Sequence, residues 1–176
     1  IVATKGMLST IADNTADADA TVVRRLREAG MVLIGKTHTV QFAYGGVGIN
    51  HDTGTPRNPW RTDEAYVPGG SSSGSAVAVA AGLAPFALGT DTSGSVRVPA
   101  SLCGLTGLKT TVGRVSRAGV YPLSPTLDSV GPLAHSAADC ALVYEAIQGA
   151  DDGDAATFGQ RPHDVSTSLG AGVSGM

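Results

Sequence analysis

Two turns rich in glycine and serine bracket a short apolar segment, and that arrangement limits what the chain can become. The first turn reads Pro68-Gly69-Gly70-Ser71-Ser72-Ser73-Gly74-Ser75, and the second Gly89-Thr90-Asp91-Thr92-Ser93-Gly94-Ser95-Val96-Arg97-Val98-Pro99. Residues 75–83 carry Ala or Val at nearly every position, which suits a helix packed on all sides. Residues 85–88 read as a short buried strand ending at Gly89. One helix and one strand then bring the two turns near each other. Each turn offers hydroxyls, small residues and free backbone N–H groups, the ingredients of an acyl-transfer site. A flexible linker shares this composition. Linkers, however, are not followed at once by dense apolar segments, and Asp-x-x-x-Ser-x-Arg-x-Pro is far from low complexity.

Composition narrows the function classes. At 176 residues the chain is one domain's worth and can bury a core. A net charge of −3 with 15% charged residues leaves no basic footprint for nucleic acid. No apolar run reaches transmembrane length and no signal-peptide layout opens the chain. No membrane partner is expected, and a cytoplasmic address follows as the default. Cys103 and Cys140 lack metal-ligand spacing and are too few for a disulfide scaffold. His38, His51, His135 and His163 stand singly, so neither a metal nor a cofactor is expected.

Asp17 or Asp19 can cap a helix over residues 20–29, with Val22, Leu26 and Ala29 on one face and Gly30 ending it. Residues 31–34 are continuously apolar and read as a buried strand, parallel in a helix-then-strand unit. Residues 47–66 read as a long ordered loop. Residues 110–117 suggest a strand and turn, and residues 127–133 a further turn. Ser136 can cap a helix through Ile147 that Gly149 stops. Asp151-Asp152-Gly153-Asp154 reads as a solvated turn without the Glu that closes a calcium loop. Residues 158–176 lose periodicity and read as a polar tail or linker.

Two motifs match a pattern but lack its context. Gly30-Met31-Val32-Leu33-Ile34-Gly35-Lys36-Thr37 satisfies the P-loop string. That mechanism needs a strand before the first glycine and a helix after the lysine, and here a helical pattern precedes it. Gly70-Ser71-Ser72-Ser73-Gly74 satisfies the nucleophile-elbow string, but no buried strand runs into Gly70.

The two serine turns, continued by Cys103-Gly104-Leu105-Thr106-Gly107-Leu108-Lys109, closely resemble the amidase signature family of serine hydrolases. The resemblance covers about residues 1–157. It implies an α/β fold, a mixed β-sheet core covered by α-helices, of which residues 1–157 would be a partial domain. It also implies a Ser–cis-Ser–Lys triad. Ser95 matches the nucleophile and Ser71 the bridging serine, with a cis peptide bond after Gly70. The family's lysine, the general base, would fall two positions before Ile1, outside the chain, and Lys5 falls on a variable position. On this register the chain starts just after its own lysine and would be inactive as it stands, or a non-catalytic piece.

The N–H groups of Thr92, Ser93, Gly94 and Ser95 match the family's oxyanion hole. The family usually has Gly where Ser93 stands, so a positive φ there would strain Ser93. Asp91 and Arg97 are expected to brace the turn as a pair, with Gly70 and Ser72 in support. The implied activity is hydrolysis of a small linear amide through an acyl-enzyme on Ser95, releasing ammonia or an amine. A homodimer is possible. The alternative is the A subunit of a tRNA-dependent glutamine amidotransferase. Thr37-His38-Thr39-Val40-Gln41-Phe42-Ala43-Tyr44-Gly45-Gly46 departs from that subunit's Met-Asp-Glu-Phe-Ala-Met-Gly-Ser, and Ala118-Gly119-Val120-Tyr121-Pro122 departs as well. These departures favour a free-standing amidase.

Overall fold

The computed structural model describes Val2 and residues 14–173. Helix α1 spans Thr21–Glu28, with Val22 and Val23 buried and Arg24 and Glu28 paired on the outside at 2.9 Å. Helix α2 spans Ser73–Ala80, and strand β1, Phe86–Asp91, follows after a turn. Helix α3 (Arg97–Leu102) and the two-residue strand β2 (Thr106–Gly107) come next. Strand β3 (Ser129–Ala134) and helix α4 (Ala137–Ile147) complete the regular elements that position the site. The Ser136 hydroxyl accepts the Asp139 N–H and caps α4 as the sequence predicts.

The sheet runs in the order β1-β3-β2 and is antiparallel throughout. Alternation along its strands sends side chains to two faces. Phe86, Leu88 and Val130 join α1 and α4 through Val22, Val23, Val143 and Ile147. Leu133 packs on the other face with Ala76 of α2 and Val96, Ala100 and Cys103 around α3. Helices thus cover both sides of the sheet, and β3 is buried along its whole length. Arg25 locks α1 to the end of α4, its Nη1 donating to the carbonyls of Ile147 and Gln148 at 2.8 Å each. Those carbonyls belong to the last turn, where a helix lacks its own donors.

Several expectations are corrected. Residues 31–34 form no strand, and Val32 and Ile34 are 83% and 70% exposed. A cavity of about 710 Å³ separates this run from β1. The backbone groups that β1 turns toward that side are taken by hydroxyls: Ser75 Oγ donates to the Leu88 carbonyl at 2.7 Å, and Ser72 Oγ meets Thr90. No parallel pairing forms among the described residues. Residues 110–117 contribute a single bridge, Val115 to Gln148, instead of a strand. The expected turn at residues 127–133 is instead the buried strand β3.

The aspartate turn is tied inward. Asp151 accepts from Thr21 Oγ1 at 2.7 Å and from Ser116, and Asp154 pairs with Arg117 at 2.9 Å. Residues 159–173 are irregular apart from a turn at Ser166–Ser168, yet they dock on α4. Gln148 and the His163 backbone bond reciprocally, and Glu145 accepts the Val165 and Ser166 N–H groups. No described helix is long and apolar enough to cross a membrane.

Candidate active site

The site forms where β1 ends. Residues 92–96 turn the chain from β1 into α3 and carry Ser95, and a fully buried carboxylate holds that turn in shape. Asp91 accepts the N–H groups of Gly94 at 2.7 Å, Val96 at 3.2 Å and Arg97 at 3.3 Å. The Arg97 guanidinium adds two bonds of 3.0 Å, one to each oxygen. Burial pushes the Asp91 pKa up, but the guanidinium and the three N–H donors outweigh it and hold the carboxyl below its ordinary value. The pair braces the turn.

Gly94 takes φ 139°, while Ser93 is not among the residues with positive φ, so the serine carries no such strain. Because Asp91 takes the Gly94 N–H, the N–H groups of Thr92, Ser93 and Ser95 are the ones left without an acceptor among the described residues.

The first turn lies against the second. Residues 39–47 wrap it: the Gly70 N–H donates to the Gly46 carbonyl at 2.8 Å, and the Ser71 carbonyl accepts from Val40 N–H at 3.1 Å and Thr39 Oγ1 at 2.9 Å. The Gly70–Ser71 peptide bond is cis. Ser72 N–H donates to the Ser95 carbonyl at 3.2 Å, while Ser72 Oγ accepts the Thr90 N–H and donates to the Thr90 carbonyl, each at 3.3 Å. Ser71 is fully buried, and its hydroxyl has no hydrogen-bond partner among the described residues; the same holds for Ser73 Oγ. No hydrogen bond joins the Ser71 and Ser95 hydroxyls. Phe42 and Ala43, in the wrapping segment, have φ of 54° and 58°, an uncommon state for residues with a Cβ. Phe42 meets Tyr121 with ring centroids 6.1 Å apart.

Neither described lysine bonds to these serines. Lys36 lines the cavity beside β1, and burial lowers its pKa. Lys109 donates to the Thr110 carbonyl at 3.0 Å. Lys5 lies outside the described residues. The P-loop string fails in its geometry, since α1 precedes Gly30 and no α-helix follows Thr37 before α2. No strand enters Gly70, so the elbow string fails too. Among the described residues no cluster of His, Cys, Asp or Glu could hold a metal ion.

One residue at the site escapes a reading of the sequence. Asp128, 7% exposed, accepts from Thr92 Oγ1 with one oxygen. Its other oxygen accepts from the N–H groups of Leu123 and Ser124, at 2.8 Å each. A lone aspartate before a Ser-Val-Gly-Pro run looks like a turn residue, and only the strand pairing reveals its neighbour.

Comparison with known proteins identifies the family. Residues 2–170 match the family described as Amidase. The A subunit of glutamyl-tRNA(Gln) amidotransferase from Chromohalobacter salexigens is 51% identical over 161 residues, 92% of this chain and 33% of that protein. The chain therefore spans about a third of the length of such curated relatives. A solved structure titled as an unexpected vestigial protein complex, revealing the evolutionary origins of an s-triazine catabolic enzyme, matches with a TM-score of 0.93. That match is 44% identical and covers 99% of this chain and 39% of the other. Native peptide amidase from Stenotrophomonas maltophilia matches at TM-score 0.86 and 44% identity, over 94% of this chain and 36% of that one. The serine turns, the α/β fold and these matches agree: the chain belongs to the amidase family of hydrolases, the proteins that carry the amidase signature.

Proposed function

We propose that Ser95 is the nucleophile of an amide-hydrolysing centre and that the chain works as part of the A subunit in an amidotransferase, with glutamine as the amide. The observation that carries this reading is the Ser71 hydroxyl. It is buried without a partner among the described residues, on a turn that Ser72 fastens to Ser95. A native structure rarely leaves a buried hydroxyl unpaired, because the loss is about 1–3 kcal/mol, and a catalytic role is one explanation for such a group. Ser71 is suited to pass a proton between Ser95 and a lysine amine, which the resemblance puts two positions ahead of Ile1.

The chemistry then follows. Ser95 Oγ attacks the amide carbon and its proton passes through Ser71 to the amine. The carbonyl oxygen becomes an oxyanion, with the N–H groups of Thr92, Ser93 and Ser95 as its donors; one such donor is worth about 3 kcal/mol. Collapse breaks the C–N bond, the relayed proton goes to nitrogen, and ammonia leaves. Water then takes the acyl group from Ser95, with the same relay acting as base.

The sequence alone favours a free-standing amidase, but identities near 50% to several amidotransferase A subunits favour the amidotransferase. A partner protein is then expected beside the small-molecule amide. The free-standing reading keeps one specific support, the departures at residues 37–46, where Tyr44 and Gly46 replace the Met and Ser of the amidotransferase pattern. Ammonia release by the full-length chain separates the two. Turnover of glutamine that rises with partner subunits supports the first reading. Partner-independent turnover of peptide or simple amides, with glutamine inert, supports the second.

A further inference from the structure

We propose that Asp128 is a positioning residue that holds the candidate oxyanion turn through Thr92. The proposal rests on the reading of Ser95 as nucleophile. The β1–β3 ladder ends at the pair Asp91 and Ser129, where Ser129 Oγ donates to the Asp91 carbonyl at 3.0 Å. One step further, Thr92 faces Asp128, and side chains take over where the ladder stops: Thr92 Oγ1 donates to Asp128 Oδ1. Backbone groups along an antiparallel strand face alternate sides. Thr90 turns its N–H and carbonyl to Ser72 of the first turn, so Thr92, held in the same register, turns its N–H the same way. Asp128 thereby keeps Thr92 in strand register for one residue beyond the ladder. The first candidate oxyanion donor stays directed toward the serines.

The second oxygen of Asp128 fixes the opposite wall. It accepts the N–H groups of Leu123 and Ser124, in the loop whose Tyr121 meets Phe42 of the segment wrapping Ser71. One buried carboxylate therefore sets the distance between the oxyanion turn and that wall. Arg117 feels its charge, but that guanidinium is bound to Asp154, so among the described residues the hydroxyl and the two N–H groups are the hydrogen-bond donors to Asp128. An amide in its place would give its oxygen to the two N–H groups and its NH₂ to Thr92 Oγ1. The contact would survive with its polarity reversed.

The test uses the full-length chain and a fluorophosphonate, whose phosphoryl oxygen occupies the oxyanion site once Ser95 has attacked phosphorus and fluoride has left. Modification is located by peptide mass, and its rate is compared with the melting temperature of each variant. Thr92→Val should slow modification of Ser95 about 10- to 100-fold, the scale of a misaligned reacting group, while Thr92→Ser restores it. Asp128→Asn should lie between wild type and Asp128→Ala. Asp128→Ala combined with Thr92→Val should be no slower than Asp128→Ala alone, because the two act as a unit. With an amide substrate the loss should fall on kcat and spare KM, since the oxyanion exists only past the ground state. Labelling of Ser95 that Thr92→Val leaves at the wild-type rate overturns the proposal alone. A wild-type protein unmodified at Ser95 overturns the reading of Ser95 and this proposal with it.

Discussion

Ser72 binds both ends of the second turn at once: its N–H reaches the Ser95 carbonyl at 3.2 Å and its hydroxyl engages the Thr90 backbone at 3.3 Å. The serine between the two candidate catalytic residues in this contact is thus a fastener. Ser72→Ala should keep the backbone bond and orphan the Thr90 groups, costing about 1–2 kcal/mol. Urea titration of the two proteins checks this. The slope against urea should not change, since the surface exposed on unfolding is nearly the same.

Gly131 sits in the central strand, where a Cβ would lie 1.9 Å from the Leu108 carbonyl oxygen. Neither strand nor loop can move aside cheaply, because Leu108 N–H donates to the Pro132 carbonyl at 3.0 Å on the same stretch. Gly131→Ala should therefore cost at least the upper end of the usual overpacking range of about 1–3 kcal/mol. Thermal melts followed by circular dichroism give the answer. Gly35→Ala, with nothing near the added atom, serves as the tolerant control.

Acid should unpick the Asp154–Arg117 clamp. The Arg117 guanidinium, with two backbone N–H groups, holds the Asp154 carboxyl down at about 2, against 3.8 for the free group. A depressed carboxyl pKa stabilises the fold fully above the unfolded value, and that stability disappears as pH falls through the folded value. The contribution, on the order of 2 kcal/mol, should thus be intact above pH 3.8 and lost toward pH 2. Stability measured across this window should fall less steeply in Asp154→Asn, which is already weaker at neutral pH.

Local chemistry makes some of this fold legible. Ser136 opens α4 by well-understood capping, but Gly149 follows an extended Gln148 and gives its N–H to the Arg114 carbonyl instead of closing the helix. The expected all-round burial of the Ala/Val run is corrected: only Ala76 and Val79 are buried and Leu83 is 69% exposed, because this side borders the cavity. Helix α3 is hidden because Pro99 lies inside it. Proline is tolerated there, at the third helical residue, where the first turn has no internal acceptor for an N–H. Strand β3 is hidden by Gly131 and Pro132, which read as a turn. Pro132 opposes Leu88, whose carbonyl is turned away to Ser75, so that pair needs no N–H from the proline. Residues 31–34 mislead because apolarity signals a buried surface without saying what covers it, and here the run borders a cavity. At the site, the serines and the Asp91–Arg97 brace are visible as local strings. Asp128 is not, because its partner Thr92 is 36 positions away and meets it only through strand pairing.

The assignment of Ser95 as nucleophile and Ser71 as its proton relay is tested by mass mapping of the fluorophosphonate adduct on the full-length chain. One adduct is expected, on Ser95, absent in Ser95→Ala. Its formation should be slowed about 10²- to 10⁴-fold in Ser71→Ala, the usual worth of general-base assistance, and unchanged in Lys36→Ala. An adduct on Ser72 or Ser73, or labelling that survives Ser95→Ala, would contradict it.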